Sequence, residues 1–225
     1  MATFKIAIDG PAGAGKSTVA KAVAQKLGMI YIDTGAMYRA VGLGAVRRSI
    51  DTSNAKAVEG ILDMLDISIC HSDDGQQIYL NGENVSKEIR LPEISVAASN
   101  VAVIPAVRLK LVEIQRALAE KTDVIMDGRD IGTYVLPDAQ LKIFLTADPM
   151  ARAKRRFDEL SEKGVATTLD EVYRDMVYRD KNDSGREFAP LRPAEDSILV
   201  DSTELSLEET IERIGKIAAE KNRGC

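Results

Sequence analysis

Apolar residues recur along this chain in two rhythms. Phe4, Ile6 and Ile8, with Ala7 between them, form the short, nearly continuous apolar run of a strand buried on both faces. Val19, Ala22, Val23 and Leu27 then fall at helical spacing, and Gly28 supplies a C-terminal cap. Met29 to Ile32 reads as a second strand. A helix is predicted from Asp33 or Thr34 through "DTGAMYRAVGLGAVRRS", its far end weakened by Gly42 and Gly44. Between 66 and 85 the rhythm changes to strict alternation. Ile67 and Ile69, the turn signal Asp74-Gly75, then Ile78 and Leu80 predict a hairpin with one wet face. Pro105 opens a helix whose Val107, Leu111, Ile114 and Leu118 share a stripe, leaving Arg108 on another face. "DVIMDG" and "LKIFLTA" are apolar strands. Asp148 and Pro149 start a helix with Met150, Ala153, Phe157 and Leu160 inward, closed by Gly164. Thr168 with Glu171, and Ser206 with Glu209, are capping boxes for the last two helices; the irregular "KNDSGREFAPLRPAED" and the strand "SILVD" lie between them.

Strand alternating with helix predicts an α/β fold: a five-stranded parallel sheet flanked by helices, with ligands at the carboxyl ends of the strands. The antiparallel hairpin does not belong in such a sheet and reads as an inserted, mostly antiparallel β subdomain. The expected organisation is one domain with a core of residues 1–50, 100–148 and 191–225, an insertion at about 51–99 and a helical lid at about 149–190. With 225 residues, 45% of them hydrophobic, the chain is long enough for one sizeable core.

The strand-to-helix joint at residues 10–18 changes the picture from fold to chemistry. Gly10, Pro11, Ala12, Gly13, Ala14, Gly15, Lys16, Ser17 and Thr18 contain the spacing G-x-x-x-x-G-K-[ST]. Backbone N–H groups and the positive helix end converge where no side chain intrudes, which is the cradle a polyphosphate needs. Lys16 would reach the β and γ phosphates, and the Ser17 hydroxyl would bind Mg²⁺. Asp127, closing an apolar strand, stands where P-loop enzymes keep their Mg²⁺-side aspartate.

A formal net charge of -5 argues against nonspecific nucleic-acid binding, and no apolar run approaches the ~20 residues of a membrane span. Cys70, Cys225 and the single His71 suggest neither a disulfide framework nor a metal cage, and the cytoplasm is the expected compartment. Basic residues crowd into the stretch 152–192 among acids, as solvated helix faces or as the cations around a moving phosphoryl group. A P-loop alone leaves a small-molecule kinase, a GTP-dependent switch and a mechanical ATPase open. The guanine-reading N-K-x-D string is absent, and the length suits a small-molecule kinase, which needs one piece to hold an acceptor and one arginine-rich piece to close.

"IDGPAGAGKST", "DTGAMYR", "NVAVIPAVR", "DGRDIGT" and "RDKNDSGREFAPL", in this order, resemble the bacterial type of cytidylate kinase from the first strand to the last helix. That resemblance implies ATP-dependent phosphorylation of CMP and dCMP with Mg²⁺. The expected state is a monomer, and neither nucleic acid nor membrane is an expected partner. It also implies that the inserted β segment is the family's enlarged acceptor-binding domain. The family's acceptor-phosphate site falls on Thr34, Tyr38, Arg39 and Arg129, its cytosine contacts on Ser99, Arg108 and Asp130, and its sugar and phosphate contacts on Arg179, Asp183 and Arg186. Arg155 is a candidate lid residue on the ATP side. Lys16, Arg39, Arg129, Arg179 and Arg186 are the implied catalytic cations. Thr34 stands where the family often has serine, which keeps the hydroxyl, and Ser17 where some members have glycine, which adds a metal ligand.

Overall fold

The computed structural model describes residues 3–72 and 75–223. Asp74 of the expected turn, and Cys225, lie outside the described residues. In chain order the elements are β1 (Lys5–Asp9), α1 (Lys16–Leu27), β2 (Ile30–Asp33), α2 (Thr34–Val46), α3 (Ala55–Glu59), β3 (Ile67–Ser72), β4 (Gly75–Leu80), β5 (Glu83–Asn84), α4 (Pro92–Val101) and α5 (Pro105–Ala119). There follow β6 (Val124–Gly128), β7 (Leu141–Thr146), α6 (Pro149–Glu162), α7 (Leu169–Gly185), β8 (Ile198–Asp201) and α8 (Leu207–Arg223). The chain divides into two compact units, residues 32–118 and the remainder. No single helix among the described residues is long and apolar enough to cross a membrane.

The larger unit is built on a five-stranded sheet of order β2-β6-β1-β7-β8. The apolar first strand is its centre: β1 pairs in parallel with β6 and β7, and Ile6 and Ile8 are fully buried. Asp9 lies beside Gly128 in that register, so the loops leaving β1 and β6 emerge together at the carboxyl edge. Gly10 begins the first loop with φ +150°, where an added Cβ would lie 1.9 Å from the Leu145 carbonyl oxygen of β7. No other residue fits there. Val19, Ala20, Val23 and Ala24 bury one face of α1, and Gly28 ends it in the left-handed conformation.

The smaller unit packs α2, α4 and α5 with the three-stranded antiparallel sheet β3-β4-β5. The expected hairpin forms, with Ile67 paired to Leu80 and Ile69 to Ile78. Gly42 and Gly44 do not weaken α2. A Cβ on Gly42 would lie 3.0 to 3.1 Å from Ala97 and Ala98 of α4, and one on Gly44 would lie 2.8 Å from Leu65, so their absence lets neighbours reach the helix backbone. Asp33 caps α2 by accepting from the Ala36 amide at 2.9 Å.

Two local expectations need correction. Met150 is half exposed, whereas Arg152 and Ala153 are the buried residues of α6. Helical side chains lean toward the N-terminus, so a first-turn side chain overshoots the packed face. Residues 181–185, expected to be irregular, continue α7 through Gly185, because Asp183 is buried with arginine partners that polarity alone does not reveal. Arg108, off the apolar stripe of α5, is nonetheless buried at 1% exposure. Both capping boxes form, with Thr168 and Glu171 bonding reciprocally, and Ser206 and Glu209 likewise.

Candidate functional site

The loop between β1 and α1 has the backbone that its glycines foretell: Gly13 and Gly15 adopt φ of +70° and +84°. Gly15 sits at the N-cap of α1 with no side chain capping the helix, which leaves the first-turn amides and the positive helix end able to meet an anion. Thr18 lies exposed in that turn, whereas Pro11, Ala12 and Ala14 are buried. Lys16 is buried at 5% exposure, its Nζ donating to the Pro11 carbonyl at 2.6 Å. Burial, joined by the nearby Arg129 guanidinium, holds its ammonium well below the ordinary lysine value despite Asp127, Asp183 and Asp9.

Asp127, at the end of β6, accepts from Ser17 Oγ on one carboxylate oxygen and from the Tyr31 hydroxyl on the other, both at 2.8 Å. One hydroxyl and one carboxylate converge here. That donor set suits Mg²⁺, which takes few protein oxygens and keeps waters and substrate phosphates. Among the described residues there is no cluster of three or more His, Cys, Asp or Glu that would form an all-protein cage. Asp9 accepts from the Ile131 and Gly132 amides at 2.8 and 2.7 Å and so pins the π-helical turn Ile131–Val135 that follows Arg129 and Asp130. Burial pushes the Asp9 carboxyl up to about 7.

Around that turn the arginines and carboxylates interlock. Arg129 Nε donates to Asp183 Oδ2 at 2.6 Å, Arg186 Nη2 to Asp130 Oδ1 at 3.2 Å, and Arg186 Nη1 lies 3.7 Å from Asp183 Oδ1. Arg179 lies 3.9 Å from Asp175 one turn back on α7. Burial raises the Asp183 carboxyl, but Arg129 and Arg186 outweigh it, leaving a net lowering. Arg155 donates to the Ser202 hydroxyl and to the carbonyls of Ser202, Thr203 and Leu205, binding the loop after β8.

The smaller unit carries the remaining expected residues. Thr34 opens α2 and Tyr38 and Arg39 follow one turn on; Thr34, Tyr38, Ser99 and Arg108 are all buried. The Arg108 guanidinium lies 5.5 Å from the centre of the Tyr38 ring and donates to the Ala102 carbonyl at 3.2 Å. A charged side chain this buried has a positional role and not a solvating one. Asp33 binds Arg90 at 2.8 Å and approaches Arg39 at 3.9 Å; Gln76 of β4 holds both backbone polar groups of Asp33. Burial raises the Asp33 carboxyl, yet Arg39 and Arg90 bring it below its usual value.

Sequence reasoning missed Tyr31, Asp33 as an arginine anchor, Arg90, Arg152 and Asp180. Only Asp33 carried a signal, as the polar residue before a helix. The others owe their place to pairings across long stretches of chain, which spacing does not encode.

A family model described as "Cytidylate kinase" matches residues 6–220. A cytidylate kinase of Caldicellulosiruptor bescii is 53% identical over 214 residues, 95% of each chain. One from Lactobacillus johnsonii is 49% identical over 220 residues, 98% of this chain and 96% of its own. A solved structure of an uncharacterized protein from Eubacterium ventriosum shares the fold with a TM-score of 0.55 at 15% identity, covering 97% of this chain and 99% of that one. The likeness in sequence runs from β1 into α8, through every motif described above, and by it this chain belongs to the cytidylate kinase family.

Proposed function

We propose that the protein transfers the γ-phosphoryl group of ATP to CMP and dCMP, giving ADP with CDP or dCDP, in pyrimidine nucleotide metabolism. Family membership over residues 6–220 supports this reading, and the observation that carries it is the convergence of Lys16, Ser17 and Asp127 on a glycine loop at the carboxyl edge of the sheet. In the reaction an oxygen of the CMP phosphate attacks the γ-phosphorus while the bond to the β–γ bridging oxygen breaks. The attacking phosphate is already an anion, so no general base is needed; positioning and cations carry the catalysis.

The loop amides of residues 10–18 and Lys16 bind the donor phosphates. Ser17 and Asp127 would hold Mg²⁺, which would supply charge neutralisation to the donor phosphates. Thr34, Tyr38, Arg39 and Arg129 receive the acceptor phosphate, and bidentate guanidiniums suit its dianion. Ser99, Arg108 and Asp130 read the cytosine. A carboxylate only accepts hydrogen bonds, so Asp130 attracts the 4-amino group of cytosine and repels the 4-carbonyl of uracil. Arg179, Asp183 and Arg186 bind sugar and phosphate. We assign acceptor binding to the insertion at about 51–99 and a lid role to residues 149–190, with Arg155 on the donor side; closure would exclude the water that otherwise hydrolyses ATP. The enzyme acts as a monomer in the cytoplasm.

A coupled ADP-release assay with CMP, dCMP, UMP, AMP, GMP and shikimate tests the proposal. CMP and dCMP should stimulate release most. Preference for AMP or shikimate would overturn the substrate assignment, and no stimulation by any acceptor would point to a nucleotide-binding switch.

A further inference from the structure

Both polar groups of one donor-loop residue are gripped from outside the loop. The Ala12 N–H donates to Asp180 Oδ1 at 2.8 Å, and the Ala12 carbonyl accepts from Arg152 Nη1 at 2.7 Å. The same Arg152 nitrogen donates to Asp180 Oδ2 at 2.6 Å, closing a ring, while its Nε donates to the Ala147 carbonyl at 3.0 Å. Arg152 is 5% exposed, too buried for a solvated cation. Ala12 packs with Ala153, Val172 and Met176, and a Cβ on Gly13 would lie 2.6 Å from Met176 Cε. The loop is therefore seated on α7 by apolar packing and locked there by Asp180. Three residues further along α7, Asp183 holds Arg129 at 2.6 Å. Residues three apart share a helix face.

We propose that Arg152 and Asp180 are positioning residues that clamp Ala12, fixing the donor loop and linking it through one turn of α7 to Arg129, so that donor and acceptor favour each other's binding. The inference rests on the substrate assignment above for its acceptor half only. A contact that holds a loop amide by a charged acceptor is worth enough that its loss weakens donor binding by about tenfold. Linkage requires the donor to tighten the acceptor by the same factor as the reverse, which gives an internal check.

The test is calorimetric titration of the Mg²⁺ complex of a nonhydrolysable ATP analogue and of CMP, each alone and in the presence of the other, for wild type, Asp180→Ala, Asp180→Asn and Arg152→Met, with thermal midpoints alongside. Asp180→Ala should weaken the ATP analogue about tenfold, leave CMP alone within about twofold, and bring the mutual enhancement close to one. Asp180→Asn keeps an oxygen for the Ala12 amide and should recover donor affinity to within about threefold. Unchanged donor affinity in Asp180→Ala would overturn the inference. So would equal weakening of both nucleotides with a fall in midpoint that Asp180→Asn shares, which marks a merely structural ion pair. Should Asp180→Ala not fold, Arg152→Met decides the matter: it removes the grip on the Ala12 carbonyl, and donor affinity and mutual enhancement equal to wild type would overturn the inference. If wild type binds the analogue but not CMP, the substrate assignment falls, and the donor titrations still decide the clamp.

Discussion

Replacing Arg129 with methionine removes the closest partner of a carboxylate that the fold has taken out of water. Arg129 and Asp183 side chains are 19% and 10% exposed and meet at 2.6 Å. Breaking such a pair from one side costs about 3–5 kcal/mol, because the surviving charge stays buried. Arg186 lies 3.7 Å from the other Asp183 oxygen and still faces it, so the lower end, about 3 kcal/mol, is expected. At roughly 2–4 °C per kcal/mol for a chain of this size, the thermal midpoint should fall by about 6–12 °C. The loss must also depend on pH. The Asp183 carboxyl lies below its ordinary value of 3.8 in the folded protein, so it contributes stability above that value and loses it as pH falls through the folded value. The gap between variant and wild type should therefore narrow below about pH 4. Urea unfolding at pH 7 and in the acid range measures both. The double variant Arg129→Met with Asp183→Asn should regain most of the stability and none of the phosphoryl transfer. A single variant within about 0.5 kcal/mol of wild type, as for an exposed ion pair, would refute the reasoning, as would a gap that does not change with pH.

Other perturbations separate chemistry from packing. Lys16→Met should abolish transfer yet leave the midpoint at pH 7 equal or higher, because the buried ammonium, held well below 10.5, opposes folding. That advantage should shrink as pH rises toward 10.5, where the unfolded lysine also becomes neutral; a lower midpoint at pH 7 would contradict it. Asp130→Ala should cut kcat/KM for CMP far more than for UMP, shrinking the preference by about tenfold or more; an unchanged ratio would remove Asp130 from base reading. Gly10→Ala should yield unfolded or aggregated protein in circular dichroism and gel filtration, since a Cβ 1.9 Å from the Leu145 oxygen forces β1 and β7 apart. A well-folded Gly10→Ala protein would show that this edge of the sheet yields.

What the sequence revealed of the site is what local chemistry dictates. The glycine loop was legible because a backbone cradle demands glycines at fixed steps, followed by Lys16 and Ser17. Asp127 was readable as a carboxylate ending an apolar strand, and the structure brings it to 2.8 Å from Ser17 Oγ. The hairpin, though not its register, followed from alternation with a turn signal between its halves. Residues 181–185 were not legible as helix: "KNDSG" carries turn formers, and what keeps it helical is the burial of Asp183 between Arg129 and Arg186, a tertiary effect. The same holds for Asp180 and Tyr31, whose partners Ala12 and Asp127 lie 168 and 96 residues away. Gly42 and Gly44 were readable only as weak helix formers, since the packing that requires them comes from α4 and Leu65.

Phosphorus NMR of wild-type protein with ATP, CMP and Mg²⁺ tests the central claim most directly, because it observes where the γ-phosphoryl group goes. CDP and ADP signals should grow in equal amounts from the start, with little inorganic phosphate and no CDP when CMP is omitted. ADP appearing with inorganic phosphate and no CDP would contradict it.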